Sequence, residues 1–243
     1  MRAARLVTLV LTAHGSADPR SSANAHAIAG HVRRLLPDTE VRVAFCEQNE
    51  PNLADVLTAV EAGSVVVPLL LASAYHARID IPALIAQTGA DVVQADVLGN
   101  DPRLLQVMRE RLTALGVSRF DSSLGVVLTG VGSSHAAANA RTAELAADLA
   151  EGTRWVGTHV AFATGQDPSV SRAVERLRAR GATRLVIAPW FLAHGRITDR
   201  VAEYARREGI PMAEPLGPHR LVAATVLDRY EEAIEARTAG FAA

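Results

Sequence analysis

The strongest constraint on the fold of this chain is that it is written twice. Leu11-Thr12-Ala13-His14-Gly15-Ser16 recurs as Leu128-Thr129-Gly130-Val131-Gly132-Ser133, 117 residues later. Val43-Ala44-Phe45 followed by Glu50-Pro51 recurs at the same spacing as Val160-Ala161-Phe162 followed by Asp167-Pro168. Pro68-Leu69-Leu70-Leu71-Ala72 and Pro189-Trp190-Phe191-Leu192-Ala193 lie 121 residues apart, which requires four extra residues in the second copy. The pairs Leu98-Gly99 and Leu216-Gly217 follow, and the spacing returns to 117 at Arg103-Leu104 and Arg220-Leu221. Ordered matches at nearly constant spacing mean two copies of one design. The chain is therefore expected to form two similar domains, 1–118 and 119–243, joined near Gly116 to Ser123.

Within the first copy, continuous apolar runs alternate with amphipathic stretches, the pattern of buried parallel strands connected by helices. Strands are expected near 5–13, 41–46, 64–71 and 91–96, and helices near 21–36, 52–62, 81–88 and 102–115. Ser21 or Ser22 can cap the first helix, Pro37 closes it, and Gly63 and Gly116 follow later ones. The second copy repeats the plan, with strands near 124–130, 156–162 and 184–191. A residue content that is 49% hydrophobic but only 4% aromatic suits helices packed closely on such strands. With right-handed crossovers, the fold class is α/β, with two doubly wound parallel-sheet, Rossmann-type domains and a cleft expected between them.

Charge and cysteine content narrow the function. With 25 basic against 26 acidic residues, there is no general field for nucleic acid or an anionic membrane, so the expected partner is small. Cys46 is the one cysteine, which excludes an intramolecular disulfide and Cys-rich metal clusters and points to the cytoplasm. The segment from Leu6 to Ala13 is short for the apolar part of a signal peptide and reads as the first strand, and no run reaches a membrane span.

Ligands of doubly wound sheets bind outside the carboxyl ends of the strands. In the first copy these ends carry His14-Gly15-Ser16, Cys46-Glu47 and Tyr75-His76. Two imidazoles and a carboxylate suit Fe²⁺, Co²⁺, Ni²⁺ or Zn²⁺ and leave coordination positions open, as transfer or catalysis requires. Individually, His14 could cap a turn and Glu47 could be a solvated loop residue. The second copy acts as an internal control: Val131, Thr164 and Ile197 stand at or near the positions of His14, Glu47 and His76. One functional site per chain accounts for that asymmetry.

Two rival enzyme readings are weaker. A histidine phosphatase needs an Arg before the strand-end His, and Ala13 stands there. Gly130-Val131-Gly132-Ser133-Ser134-His135 lacks the third glycine of a dinucleotide loop.

The chain resembles the two-repeat form of the CbiX/SirB sirohydrochlorin chelatases. The motifs are Thr12-Ala13-His14-Gly15-Ser16, Phe45-Cys46-Glu47 with Glu50-Pro51, and the run from Pro68 through Tyr75-His76-Ala77-Arg78-Ile79-Asp80 to Pro82. The resemblance implies insertion of a divalent metal substrate, Fe²⁺ favoured over Co²⁺, into sirohydrochlorin for siroheme or cobalamin synthesis, with no nucleotide. It also implies that His14 and His76 hold the ion and that Glu47 is their acidic partner, as ligand or base. Ala17 stands where an Arg or Lys is common, and Ala74 where Gly is frequent.

The many carboxylates of sirohydrochlorin call for Arg side chains and backbone N–H groups. Ser16, Arg78, Ser133 and His194 are the expected substrate contacts, with Arg20, Arg196 and Arg200 as further candidates. His26, His31, His159 and His219 are read as structural. The expected assembly is a monomer or weak homo-oligomer. The alternative function is a non-catalytic protein of the same fold that binds and delivers a tetrapyrrole or metal.

Overall fold

The computed structural model describes residues 7–72 and 76–241, with the side chains of His76 and of residues 240–241 outside that description. The chain divides by packing into two compact units, Met1–Gly99 with Pro218–Ala243, and Asn100–Gly217.

The first unit is built on four parallel strands, β1 (Leu9–Ala13), β2 (Val41–Phe45), β3 (Ser64–Pro68) and β4 (Val92–Gln94), in the order β2-β1-β3-β4. Each connection crosses over through a helix: α1 (Pro19–Leu35), α2 (Leu53–Thr58), and a π-helical turn (His76–Asp80) running into α3 (Ile81–Thr88). The strands alternate in facing but are apolar at most positions on both sides, because both faces of the sheet are covered. Val10, Ala44 and Val66 join Leu53, Val56, Leu57 and Ile81 in a core on the α2 and α3 side.

The second unit repeats the design with β5 (Leu124–Gly130), β6 (Gly157–Phe162) and β7 (Arg184–Pro189) in the order β6-β5-β7. Its helices are α4 (Pro102–Ala114), α5 (Ala136–Ala150), α6 (Val170–Ala179) and α7 (Arg196–Arg207). The place of a fourth strand is taken by a single parallel bridge between Ile187 and Met212. Four extra residues are needed in this copy, and α6 has 10 residues where α2 has 6. The insertion is one added helical turn on a solvated element, which leaves the strand register intact.

Equivalent backbone bonds show how closely the copies match. Phe45 N–H donates to the Pro51 carbonyl at 3.0 Å, and Phe162 to Pro168 at 2.9 Å. Leu98 N–H donates to Leu70 and Leu216 to Phe191, both at 2.9 Å. Gly15 and Gly132 both take a positive φ, of 102° and 95°.

The packing units do not follow a cut at residue 118. The helix α4 follows β4 in sequence but packs in the second unit, where Arg111 Nη2 donates to the Leu216 carbonyl at 3.0 Å and Arg109 Nη2 to Asp148 at 2.5 Å. The last helix, α8 (Arg220–Phe241), packs in the first unit against α1, β3 and β4. Tyr230 donates its hydroxyl to the Val7 carbonyl at 2.9 Å, Arg229 Nε donates to Val97 at 3.1 Å, and Val222, Ala223 and Val226 are fully buried.

Local boundaries differ from expectation where side chains intervene. The first helix starts at Pro19, with Asp18 rather than Ser21 or Ser22 as its cap. Proline at the first position has no N–H to leave unsatisfied, and the Asp18 carboxylate accepts from Arg20 N–H at 3.0 Å. β3 and β7 stop at Pro68 and Pro189, short of 71 and 191; the last ladder bonds run from Leu69 N–H to the Thr12 carbonyl and from Trp190 N–H to the Thr129 carbonyl, both at 2.8 Å. Among the described residues no helix is long and apolar enough to cross a membrane.

Candidate metal centre

His14 and Glu47 meet at the carboxyl edge of the first sheet. β1 and β2 are paired in register through Ala13 and Phe45, so the residues just beyond them emerge side by side. The ladder continues one step past each strand: Cys46 N–H donates to the Ala13 carbonyl and Glu47 N–H to the His14 carbonyl, each at 3.0 Å. His14 Nε2 then lies 3.0 Å from Glu47 Oε1. The side chains are 35% and 51% exposed, so the pair is open to a solvent-borne ion and is not a buried structural salt bridge.

Three further features hold the pair in place. At Gly15, whose φ is 102°, a Cβ would lie 1.7 Å from the Glu47 carbonyl oxygen, so the Glu47 backbone can sit where it does only beside a glycine. Asn49 Oδ1 accepts from Ser16 N–H at 2.7 Å, tying the loop after β1 to the loop after β2. Gln48 Nε2 donates to Glu47 Oε1 at 2.9 Å.

His76 opens the π-helical turn after β3, a local widening that recurs at functional sites. Gln94, the last residue of β4, donates to the Ala77 carbonyl at 2.8 Å and so anchors that turn. The His76 side chain lies outside the described residues. Among those described, no three His, Cys, Asp or Glu side chains form a group that could hold a metal. Cys46 does not extend the donor set. Burial pushes its thiol above the ordinary cysteine value, against a smaller opposing effect from the Thr12 hydroxyl 3.7 Å away, and a neutral thiol is a poor ligand.

The expected substrate contacts divide. Ser16 Oγ accepts from Asp18 N–H at 3.0 Å, and Ser133 Oγ from His135 N–H at 3.1 Å, so each hydroxyl closes its own turn. His194 Nε2 is 2.7 Å from Glu214 Oε2 within the second unit. Arg20 is paired with Asp18 at 2.6 Å and supports the cap of α1. Arg78 is exposed on the π-helical turn, and Arg196 is exposed at the start of α7. Arg200 lines an open cavity of about 430 Å³ with Phe162, Gln166, Asp167, Ser169 and Tyr204 in the second unit, whereas the His14–Glu47 pair stands on the loops of the first. The histidines read as structural have ordinary neighbours: His26 packs edge-on to Phe45, His31 bonds Arg34, His159 bonds Arg176, and His219 accepts from Leu221 N–H.

In the second copy the same frame carries Val131 and Thr164 in place of the pair. Ala163 and Thr164 N–H donate to Gly130 and Val131 at 2.9 and 3.0 Å, reproducing the bonds of Cys46 and Glu47. The Thr164 hydroxyl turns back onto the Val131 carbonyl at 2.7 Å, and the Val131 side chain projects 42% exposed where His14 would stand.

The CbiX family matches this chain twice, over residues 8–115 and 125–233. The chain belongs to the CbiX family. A sirohydrochlorin cobaltochelatase of Priestia megaterium is 26% identical over 94% of this chain and 80% of its own length. A sirohydrochlorin ferrochelatase of the same organism is 25% identical over 78% of this chain and 74% of its own length. The solved structure of SirB from Bacillus subtilis with Fe³⁺ superposes with a TM-score of 0.82 at 21% identity, over 96% of this chain and 97% of that one, which establishes the shared fold.

Sequence reading missed three parts of this centre: the close approach at Gly15, the Asn49 tie and the Gln48 contact. A signal for the last was present, since Gln48 aligns with Gly165 at the 117-residue spacing.

Proposed function

We propose that this protein is a nucleotide-independent chelatase that inserts Fe²⁺ or Co²⁺ into sirohydrochlorin, using a single metal-transfer site at the carboxyl edge of its first sheet. The observation that carries this reading is the His14–Glu47 pair at 3.0 Å, set against Val131 and Thr164 on the same frame in the second copy. Packing alone requires the frame in both copies and the pair in neither. The named relatives divide between cobalt and iron, and an imidazole with a carboxylate accepts either ion.

The chemistry follows from the donors. An ion shared by His14 Nε2 and a Glu47 carboxylate oxygen would replace the hydrogen bond between the two side chains, with its proton leaving to solvent. His76, on the anchored turn after β3, is the third donor. Insertion then moves the ion onto four ring nitrogens while two pyrrole protons leave, and Glu47 or a freed imidazole is the nearby base. The site must bind the ion only moderately, or transfer stalls. Arg78 is the substrate-carboxylate contact this reading retains on the first unit. We place the protein in the cytoplasm, as a monomer or weak homo-oligomer.

The test is single-turnover absorbance spectroscopy with purified protein, sirohydrochlorin and Fe²⁺ or Co²⁺, following the metallated product. Acceleration over the spontaneous reaction is expected, with a loss of at least about 100-fold in His14→Ala and Glu47→Ala variants that remain folded. A spontaneous rate in the presence of wild-type protein would instead indicate a binding and delivery protein.

A further inference from the structure

Gln48 is the only non-glycine with a positive φ among the described residues, at 63°. A hydrogen bond of 2.8 Å from Asn49 N–H to the Glu47 carbonyl closes a tight turn around it. A turn of this size centred on positive φ is the rare, strained form, and a Cβ in the left-handed region adds to the strain. Gly165 stands at the same place in the second copy with the same φ of 63°. The fold therefore demands this backbone conformation in both copies and has taken the unstrained residue in one. In the other it keeps a glutamine, whose backbone gains nothing from having a side chain.

What the side chain does is specific. Gln48 Nε2 donates to Glu47 Oε1 at 2.9 Å, and His14 Nε2 reaches the same oxygen at 3.0 Å. Both donors are thus on Oε1, and among the described residues Oε2 has no hydrogen-bond partner. In the second copy Thr164 replaces the carboxylate, there is nothing to orient, and the glycine returns.

We propose that Gln48 is a positioning residue for metal transfer, retained in a strained backbone conformation because its side-chain amide pins Glu47 Oε1 and presents Oε2 to the incoming ion. The inference rests on the His14–Glu47 pair being the metal site. Partners of a metal-ligating carboxylate fix its orientation, and their removal characteristically weakens metal binding by about 10- to 100-fold.

The test separates strain from function because the two readouts move in opposite directions. Gln48→Gly relieves the strained φ and removes the amide. Its Tm should equal that of the wild type or exceed it by up to about 4 °C. Its affinity for Co²⁺ alone, followed by the visible absorption of the bound ion without tetrapyrrole, should fall by about tenfold or more. In turnover the apparent KM for metal should rise while that for sirohydrochlorin stays constant. Gln48→Asn, which tolerates positive φ but is one methylene shorter, should follow the glycine variant. An unchanged Co²⁺ affinity in Gln48→Gly, or a substantial fall in its Tm, overturns the proposal and makes Gln48 an ordinary loop residue. A wild-type protein that shows no bound-Co²⁺ spectrum overturns the site reading, and this inference with it.

Discussion

Replacing Gly15 by Ala tests whether the loop after β1 sets the position of Glu47. A Cβ at Gly15 would lie 1.7 Å from the Glu47 carbonyl oxygen and 2.8 Å from its carbonyl carbon. Contacts below 3.0 Å do not persist, so the Glu47 backbone must retreat by about 1.3 Å or the first loop must shift by as much. Displacements of about 1 Å in a reacting constellation cost about 100-fold in rate. The second copy provides the matched control. Gly132 has nearly the same φ, 95° against 102°, but its nearest neighbour would be the flexible Gln166 side chain at 3.0 Å. Both substitutions carry the backbone cost of a non-glycine at positive φ, about 1 to 3 kcal/mol, and should lower Tm by roughly 2 to 10 °C. Only Gly15→Ala should lose about 100-fold in kcat/KM for metal insertion, measured at 25 °C where both variants are folded. Wild-type activity in Gly15→Ala, or an equal loss in Gly132→Ala, refutes the argument that this close approach positions Glu47.

Two more outcomes follow from the packing and the electrostatics. A chain ending at Gly217 keeps the whole first repeat but loses α8, so amide-exchange protection of β1 and β3 should collapse; full protection would show that the first repeat folds without the last helix. Asp121, in the segment joining the repeats, accepts from Ser123 Oγ at 2.6 Å and from Arg184 Nη1 at 2.5 Å. Hydrogen bonds from Ser123, and then the Arg184 charge, hold its carboxyl below the ordinary aspartate value. A depressed folded-state pKa stabilises above the unfolded-state value, about 3.9, and that contribution is lost as pH falls through the folded-state pKa. Asp121→Asn should therefore be less stable than the wild type at pH 7, and denaturant curves should converge as pH drops below about 4; a difference that persists in acid would assign the effect to lost packing.

Much of this molecule was legible before any coordinates. The duplication followed from motifs recurring at nearly constant spacing, and the parallel strands, α3 at 81–88 and β5 at 124–130 from apolar periodicity and punctuation. The placement of His14 and Glu47 at one sheet edge followed from the rule that strand ends converge in this class of fold. Cap positions were less legible, because Asp18, Ser21 and Ser22 are all competent caps and only the Pro19 backbone selects among them. Ser16, Ser133, Arg20 and His194 were singled out by residue type, but their nearest partners are turns, caps and Glu214, which no residue type announces.

The division is physical. Sequence determined what is local or periodic: the repeat, the faces of the strands and the donor types at their ends. Tertiary structure decided what depends on which surface meets which. An amphipathic helix carries an apolar stripe but no address, so that α4 packs in the second unit and α8 covers the first could not be read from either pattern. The same holds at the site, where the glutamine beside Glu47 acquired meaning only once its strained φ and its 2.9 Å contact with the carboxylate were known.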